Sequence, residues 1–233
     1  MKGRILKGIG SFYTVLAEDD IAYTCRARGR FRNNGMTPVP GDYVEFDPRT
    51  DGDGYLLEIL PRQNVLIRPQ VANLDQLFIV VSSSAPKPDF FLVDKLAVQC
   101  ELLGIAPVLI VNKCDIKDEL QYQEIWEDYT PSGYPILPVS ALTGEGVDAV
   151  RAYTCGKVSC VAGQSAVGKS ALLNALVPDA DLAVGGLSQK TERGRHTTRH
   201  AELLHIPSGG FVFDTPGFSL LDMAVTDPLE LAE

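Results

Sequence analysis

One eight-residue stretch limits the possible folds of this chain more than any other feature. Residues 163–170 read GQSAVGKS and fit the pattern G-x-x-x-x-G-K-[ST], between the apolar run KVSCVA and the helix-forming run SALLNALV. That setting predicts a strand, a glycine-rich loop and a helix, with loop N–H groups surrounding phosphates at the helix N-terminus. A chance glycine turn before a helix is the alternative, but the strand, the loop and the helix all agree.

The pattern gives individual residues of this loop a part to play. Lys169 is expected to reach the β- and γ-phosphates and to act in catalysis, and the Ser170 hydroxyl is placed for Mg²⁺. The residues expected to line the phosphates are Gly163, Gln164, Ser165, Ala166, Val167, Gly168, Lys169, Ser170 and Ala171.

The rest of the chain divides into two patterns. Residues 1–66 contain short strand-like runs separated by turn-rich segments, which predicts a small antiparallel barrel or sandwich. From about residue 72 buried apolar runs alternate with helical stretches, which predicts an α/β unit with a mainly parallel sheet and helices on both faces. We therefore expect two domains, 1–66 and 67–233.

Composition excludes several classes of protein. The 233 residues are 45% apolar, enough for a core in each domain. No apolar stretch suits a signal peptide or the ~20 residues of a membrane span, so we expect a cytoplasmic protein without membrane contact. The five cysteines are odd in number and form no C-x-x-C pair, so we expect reduced cysteines that pack as small apolar residues.

Net charge is distributed unevenly. The chain carries −9, but residues 1–66 hold nine basic and nine acidic side chains and are balanced, so all the excess acid follows them. An acidic average therefore does not exclude local contact with a polyanion, which depends on the patch.

A second motif predicts recognition of a base. Asn112-Lys113-Cys114-Asp115 ends the apolar run PVLIV, at the sheet edge where open α/β folds bind ligands. The Asp115 carboxylate can accept from both N1–H and the 2-amino group of guanine, a donor pair that adenine lacks. Ordinary turn chemistry after a strand is the alternative. Ser140-Ala141-Leu142, after PILPV, can add a backbone contact to the base.

Two later segments complete a nucleotide site. Asp214-Thr215-Pro216-Gly217 closes the strand GGFVF, where Asp214 can hold a Mg²⁺-bound water and the Gly217 N–H can meet a γ-phosphate. A strand-ending turn is the alternative. The stretch GRHTTR at 194–199 could close over the nucleotide, with Thr197 or, preferably, Thr198 giving a hydroxyl to Mg²⁺.

Taken together, NKCD, SAL, GQSAVGKS, GRHTTR and DTPG are nucleotide motifs of the translation-factor class of GTPases, in circularly permuted order: base motifs first, then the phosphate loop, then the switches. Behind an N-terminal barrel, this order resembles the ribosome small subunit-dependent GTPase A family (RsgA, also called YjeQ). The resemblance implies an OB-fold over residues 1–66, and GTP hydrolysis stimulated by the small ribosomal subunit and its rRNA during late subunit maturation.

The same resemblance also marks departures from the family pattern. Members continue into a C-terminal helical domain with a Cys/His zinc site, of which 227–233 would be the start, so zinc is expected only in that missing domain. Ala166 stands where the family often has Gly, and Arg199 where it often has Thr.

The position that many GTPases use to orient the attacking water holds an apolar residue in this chain. Many GTPases place a glutamine directly after D-x-x-G, but here the residue is Phe218, which can neither donate nor accept. His196 is the best available candidate, with a solvated loop histidine as the alternative. His196 and His200 are spaced as metal ligands on a helix would be, but no third ligand lies nearby, so a transition-metal site is not expected.

Basic side chains suggest contact with RNA. Arg26, Arg28, Arg30 and Arg32 alternate, so on one strand they would share a face, with Tyr23 and Phe31 close by. A solvated edge strand is the alternative. A second basic group is Lys190, Arg193, Arg195 and Arg199. We expect a monomer that hydrolyses GTP; the alternatives are a nucleotide-gated RNA-binding module with incidental hydrolysis and, less well supported, a P-loop ATPase or kinase.

Overall fold

The first part of the protein is a closed barrel of five strands. The computed structural model describes residues 1–27, 31, 36–49, 53–178, 201–207 and 209–214. The barrel strands are β1 (Lys2–Ile9), β2 (Phe12–Ala17), β3 (Ala22–Ala27), β4 (Tyr43–Asp47) and β5 (Gly54–Ile59). They run in the order β1-β2-β3-β5-β4, and β4 pairs back onto β1, with β3 and β5 parallel. This closure confirms the predicted OB-type barrel and settles the choice between barrel and sandwich.

Alternation of side chains builds the barrel core. The run RILKGIGSFYTVL forms two strands joined by a turn at residues 10–11, and its inward positions include Ile5 and Val15. Cys25, Phe46 and Leu56 of the other strands are also fully buried in this cluster. Burying a side chain of this size stabilises the fold by about 1.5–3 kcal/mol relative to leaving it exposed.

A second sheet carries the helices. After a short hairpin of β6 (Val65–Leu66) and β7 (Val71–Ala72), the elements are β8 (Gln76–Ser82), α1 (Phe90–Leu103), β9 (Ala106–Asn112), α2 (Glu119–Tyr129), β10 (Ile136–Pro138), α3 (Val147–Thr154), β11 (Val158–Ala162), α4 (Lys169–Leu176), β12 (Glu202–His205) and β13 (Phe211–Asp214). The strand order is β10-β9-β8-β11-β13-β12, and every pair is parallel except β12 with β13. The predicted parallel sheet is confirmed.

Helices cover both faces of this sheet. Along β8, Leu77 and Ile79 point into one apolar cluster and Phe78 into another, as the period of two requires. Helices α1 and α2 pack into the first cluster, and α3 and α4 into the second. All residues of β8 and β11 are buried, which explains their continuous apolar sequences. Within the described residues, no helix is long and apolar enough to cross a membrane.

The barrel and the rest of the chain are joined through strand pairing and a side-chain hydrogen bond. Strand β1 pairs with β12, so the two sheets form one continuous eleven-stranded sheet. Beside this junction the Arg62 guanidinium donates to both carboxylate oxygens of fully buried Asp42, at 2.7 and 2.8 Å. The Asn73 amide also donates to the Gly41 carbonyl oxygen at 3.1 Å. Arg62 and Asn73 lie on either side of residue 66 in the sequence, and the division of the chain at residue 66 stays a prediction.

Candidate functional site

Three sequence motifs meet at one edge of the second sheet. The loop of residues 163–168 follows β11, the Asn112-to-Asp115 segment follows β9, and Asp214 ends β13. Because β8, β9, β11 and β13 are parallel, their carboxyl ends lie at the same edge, where ligands of open α/β folds bind. The arrangement brings the predicted base and phosphate motifs together.

The Asn112 side chain connects two of these motifs directly. Its Nδ2 donates to the Val167 carbonyl oxygen in the loop at 2.9 Å, and its Oδ1 accepts from the Ala141 N–H at 3.0 Å. Asn112 is buried, and its hydrogen bond to Val167 is shielded from water, while its bond to Ala141 is partly shielded. One amide therefore holds the base-reading segments in a fixed place relative to the phosphate loop.

The loop needs glycine where the pattern has it. Gly168 adopts φ +98°, and a Cβ there would lie 2.3 Å from the Asn112 Nδ2. Gly163 adopts φ +138°, and a Cβ there would lie 2.3 Å from the Val80 carbonyl oxygen. Ala166 also has a positive φ, +65°, which L-residues adopt only at a cost. The preference for Gly that the family resemblance implies at this position thus has a conformational reason.

Lys169 begins α4 and folds back over the loop. Its ammonium donates to the carbonyl oxygens of Gly163 at 2.8 Å and Gln164 at 2.7 Å. Burial lowers the pKa of Lys169 from its ordinary value. The ammonium therefore lies over the carbonyl groups of the glycine-rich turn, where a bound polyphosphate would compensate its charge.

The carboxylate of Asp115, the residue predicted to read the base, is accessible to a ligand. Asp115 lies in a short 3-10 helix, Cys114–Ile116, and is exposed. In the part of the chain that the structure describes, no hydrogen bond or ion pair engages its carboxylate. Lys113 has φ +65°, and its ammonium donates to the Ala85 carbonyl oxygen at 2.6 Å. The Ser140 hydroxyl accepts from the Thr143 N–H at 3.1 Å, which holds the neighbouring turn closed.

Ser170 and Asp214 provide oxygen ligands of the kind that Mg²⁺ prefers. Asp214 is half-buried, and burial first and Glu202 second raise the pKa of its carboxyl. Among the described residues no cation contacts it, so a divalent ion would relieve this cost of burial. The two side chains fit a magnesium site. A zinc site of at least three His, Cys, Asp or Glu side chains is not found in the described residues.

Several predicted site residues cannot be located. His196, Thr197, Thr198, Gly217 and Phe218 lie outside the described residues, as does His200. The basic group Lys190, Arg193, Arg195 and Arg199 also lies outside them. Their roles in closing the nucleotide site and orienting water stay predictions.

The predicted arginine row is described at one position. Strand β3 ends at Ala27, and of the four arginines only Arg26 falls within it; Arg28, Arg30 and Arg32 lie outside the described residues. Arg26 donates to Asp53 at 2.9 Å and stacks over the Phe12 ring. Phe31 is buried in the barrel core, so it is not a free stacking surface.

Cysteine behaviour follows the sequence prediction with one correction. None of the five cysteines forms a disulfide; Cys25, Cys100 and Cys160 are buried as expected, and Cys114 is half-buried. Cys155, however, is exposed, because it follows the last turn of α3 in the loop that leads to β11. It therefore does not pack as a small apolar residue.

Sequence reasoning missed a segment that the site holds in place. The stretch of residues 83–89, between β8 and α1, is held by side chains from the phosphate loop, from the Asn112-to-Asp115 segment and from α2. Gln164 accepts from the Asp89 N–H at 2.9 Å and donates to the Lys87 carbonyl oxygen at 3.0 Å. Gln121 of α2 donates to the Ser84 carbonyl oxygen. A glutamine in a variable loop position carries no sequence signal for such contacts.

Comparison with known proteins decides the family. The sequence model described as "RsgA GTPase" matches residues 59–224, and that described as "RsgA N-terminal domain" matches residues 2–56. The chain belongs to the RsgA GTPase family. It is 45% identical over 235 residues to the small ribosomal subunit biogenesis GTPase RsgA of Geobacillus thermodenitrificans, covering all of this chain and 78% of that protein. A second relative, from Caldanaerobacter subterraneus, is 43% identical and is covered to 76%.

Solved structures of relatives share the whole architecture. The crystal structure of YjeQ from Thermotoga maritima matches with a TM-score of 0.85 and 36% identity, over 99% of this chain and 79% of that one. YloQ, described as a circularly permuted GTPase, matches with a TM-score of 0.79 and 38% identity, over 99% and 76% of the two chains. This member of the RsgA GTPase family therefore has the permuted GTPase fold behind an OB-type barrel, and it is a GTP-hydrolysing enzyme.

Proposed function

We propose that this RsgA-family GTPase binds the small ribosomal subunit and hydrolyses GTP to GDP and phosphate during late maturation of that subunit. The observation that carries the nucleotide part is the pair of hydrogen bonds from Asn112 to Val167 and Ala141. They fix the base segment beside the phosphate loop, so one guanosine nucleotide would span both. Asp115 would accept from N1–H and the 2-amino group of its base.

The phosphate end would use the loop and α4. Backbone N–H groups of residues 163–170 would surround the β- and γ-phosphates, and Lys169 would turn from the loop carbonyls to the phosphate oxygens. Ser170, Asp214 and Thr198 would hold Mg²⁺, which when bound neutralises charge on the phosphates. Such positioning and electrostatic stabilisation supply most of the catalysis in phosphoryl transfer.

The attacking water needs a group to orient it. Phe218 lacks a donor or acceptor, so His196 is assigned to this part, acting with Lys169 and Thr198 in catalysis. Replacing His196 by Ala should then reduce subunit-stimulated turnover while leaving GDP binding intact. Unchanged stimulated turnover in that variant would remove His196 from the mechanism.

The barrel offers a surface for rRNA. Phe12, Arg26 and Tyr55 lie side by side on neighbouring strands β2, β3 and β5. The Arg26 guanidinium lies 4.5 Å from the Phe12 ring centroid, and the Arg49 guanidinium lies 4.9 Å from that of Tyr55. Alternating rings and guanidinium groups on an outer strand surface suit stacking with unpaired bases and contact with phosphates.

One experiment tests the proposal as a whole. GTP hydrolysis is measured with the chain alone and then with purified small ribosomal subunits, with Lys169→Ala as the control that lacks the lysine contact to the phosphates. We expect slow turnover alone and clear stimulation by subunits, from a monomer acting in the cytoplasm, where subunits mature. Absence of stimulation would contradict the assignment to the ribosome.

A nucleotide-gated RNA-binding module is the second candidate, favoured by the Arg26 and Arg49 stacks. In that case subunit binding would differ between GTP analogue and GDP, while single-turnover hydrolysis would not be accelerated by subunits. The same preparation separates the two functions.

A further inference from the structure

Three charged side chains form a row from the barrel to the phosphate site. Lys7 of β1 lies directly opposite Glu202 of β12, and Glu202 lies directly opposite Asp214 of β13. The Lys7 Nζ is 2.7 Å from the Glu202 Oε2. Directly opposed residues in antiparallel strands share a face, with Cβ atoms roughly 4.5–5.5 Å apart. The row therefore links a barrel cation to a carboxylate of the nucleotide site.

The row places two acids next to each other and one cation beside them. Glu202 and Asp214 are two acids in directly opposed positions, which disfavours their pairing unless a cation is near. Lys7 is the only cation that contacts either of them among the described residues. Its side chain is 29% exposed and that of Glu202 is 35% exposed, so water screens this pair only partly.

We propose that Lys7 is a positioning residue of the GTPase site: by neutralising Glu202, it sets the negative charge that Mg²⁺ meets at Asp214. The barrel thereby influences metal affinity without touching the nucleotide. This inference rests on the proposed function, because it takes Asp214 as a magnesium ligand.

The two ends of the ion pair should then have opposite effects. Lys7→Met leaves Glu202 uncompensated beside Asp214, so the Mg²⁺ concentration for half-saturation should fall about three- to tenfold. Glu202→Gln removes the acid and leaves Lys7 unpaired, so the same concentration should rise by about the same factor. A purely structural ion pair would give both variants the same direction of change.

A charge-reversed variant distinguishes the effect of the charge beside Asp214 from the effect of the ion pair itself. In the double variant Lys7→Glu/Glu202→Lys the ion pair is kept, but a cation now faces Asp214. We expect thermal stability to return to that of the wild type, while the Mg²⁺ requirement rises at least about tenfold. Lys7→Arg should rescue the wild-type Mg²⁺ dependence, since it keeps the charge.

The experiment titrates Mg²⁺ into the full chain bound to N-methylanthraniloyl-GDP and follows nucleotide fluorescence and release, independently of hydrolysis. Lys2→Met, which removes a lysine of β1 paired with β4, is the matched control and should not change the midpoint. Equal midpoints for all variants, or recovery of the wild-type midpoint on charge reversal, would overturn the inference and leave the proposed function standing. A wild-type chain whose nucleotide binding ignores Mg²⁺ would overturn the inference and the role of Asp214 as a magnesium ligand, whereas the proposed function fails only if subunits do not stimulate hydrolysis.

Discussion

The Asn112 amide gives the sharpest prediction about how this site is built. Replacing Asn112 by Ala removes both hydrogen bonds that join the base segment to the phosphate loop. The Val167 carbonyl and the Ala141 N–H are then left without their partner in a site where Asn112 is only 2% exposed.

The magnitude follows from those two groups. Each buried polar group left unpaired costs about 1–3 kcal/mol, so Asn112→Ala, which leaves two such groups, should lower the free energy of unfolding by about 2–6 kcal/mol. That is a large part of the 5–15 kcal/mol typical of a whole domain. Asn112→Asp should cost at least as much, because a carboxylate can accept from Ala141 but faces the Val167 carbonyl oxygen without a proton to donate.

Urea unfolding followed by fluorescence provides the assay. The single tryptophan, Trp126, lies in α2, so its emission reports on the GTPase unit rather than on the barrel. Asp115→Ala is the matched control: its carboxylate has no partner among the described residues, and stability should change by less than about 0.5 kcal/mol. If Asn112→Ala unfolds within 0.5 kcal/mol of the wild type, the amide does not hold the two motifs together.

Three further outcomes follow from other parts of the molecule. Arg62→Ala leaves the buried Asp42 carboxylate uncompensated and should lower the free energy of unfolding by about 3–5 kcal/mol, whereas a loss below 1 kcal/mol would contradict this role. Burial raises the pKa of Cys100 to about 12, so its thiol is not ionised at pH 8. A disulfide reagent should therefore label exposed Cys155 far faster than Cys100. Equal labelling rates would contradict the burial of Cys100. Ala166→Gly removes the cost of a positive φ, so it should increase the free energy of unfolding by about 0.5–1 kcal/mol and raise the thermal midpoint. A lower midpoint would show that the loop is not strained at this residue.

Much of the fold could be predicted because local and long-range signals agree. The continuous apolar runs of β8 and β11 predicted strands buried on both faces, and both are fully buried. The structure adds N-caps that were not predicted: the Asp118 and Asp89 carboxylates accept from backbone N–H groups in the first turns of α2 and α1. Barrel closure could not be derived from the strands alone, because alternation fits a sandwich as well; only the family resemblance favoured the barrel.

The parts that were missed depend on contacts between distant residues. Strand β12 was not anticipated, since ELLH is short and its antiparallel pairing is set by β1 and β13 on either side. The hydrogen bonds of Gln164 to residues 87 and 89 join positions about 75 apart in sequence. The motif, by contrast, predicted the positions of Gly163 and Gly168, and their positive φ angles explain why glycine is needed there.

Base recognition by Asp115 is the claim on which the nucleotide site depends, and calorimetric titration with GDP and xanthosine diphosphate tests it most directly. Xanthine carries a carbonyl where guanine has its 2-amino group, so an Asn amide can donate where the carboxylate accepts. We expect Asp115→Asn to weaken GDP binding by about 2–4 kcal/mol, roughly 30- to 1000-fold, and to strengthen xanthosine diphosphate binding. Undiminished GDP affinity in Asp115→Asn would contradict the account.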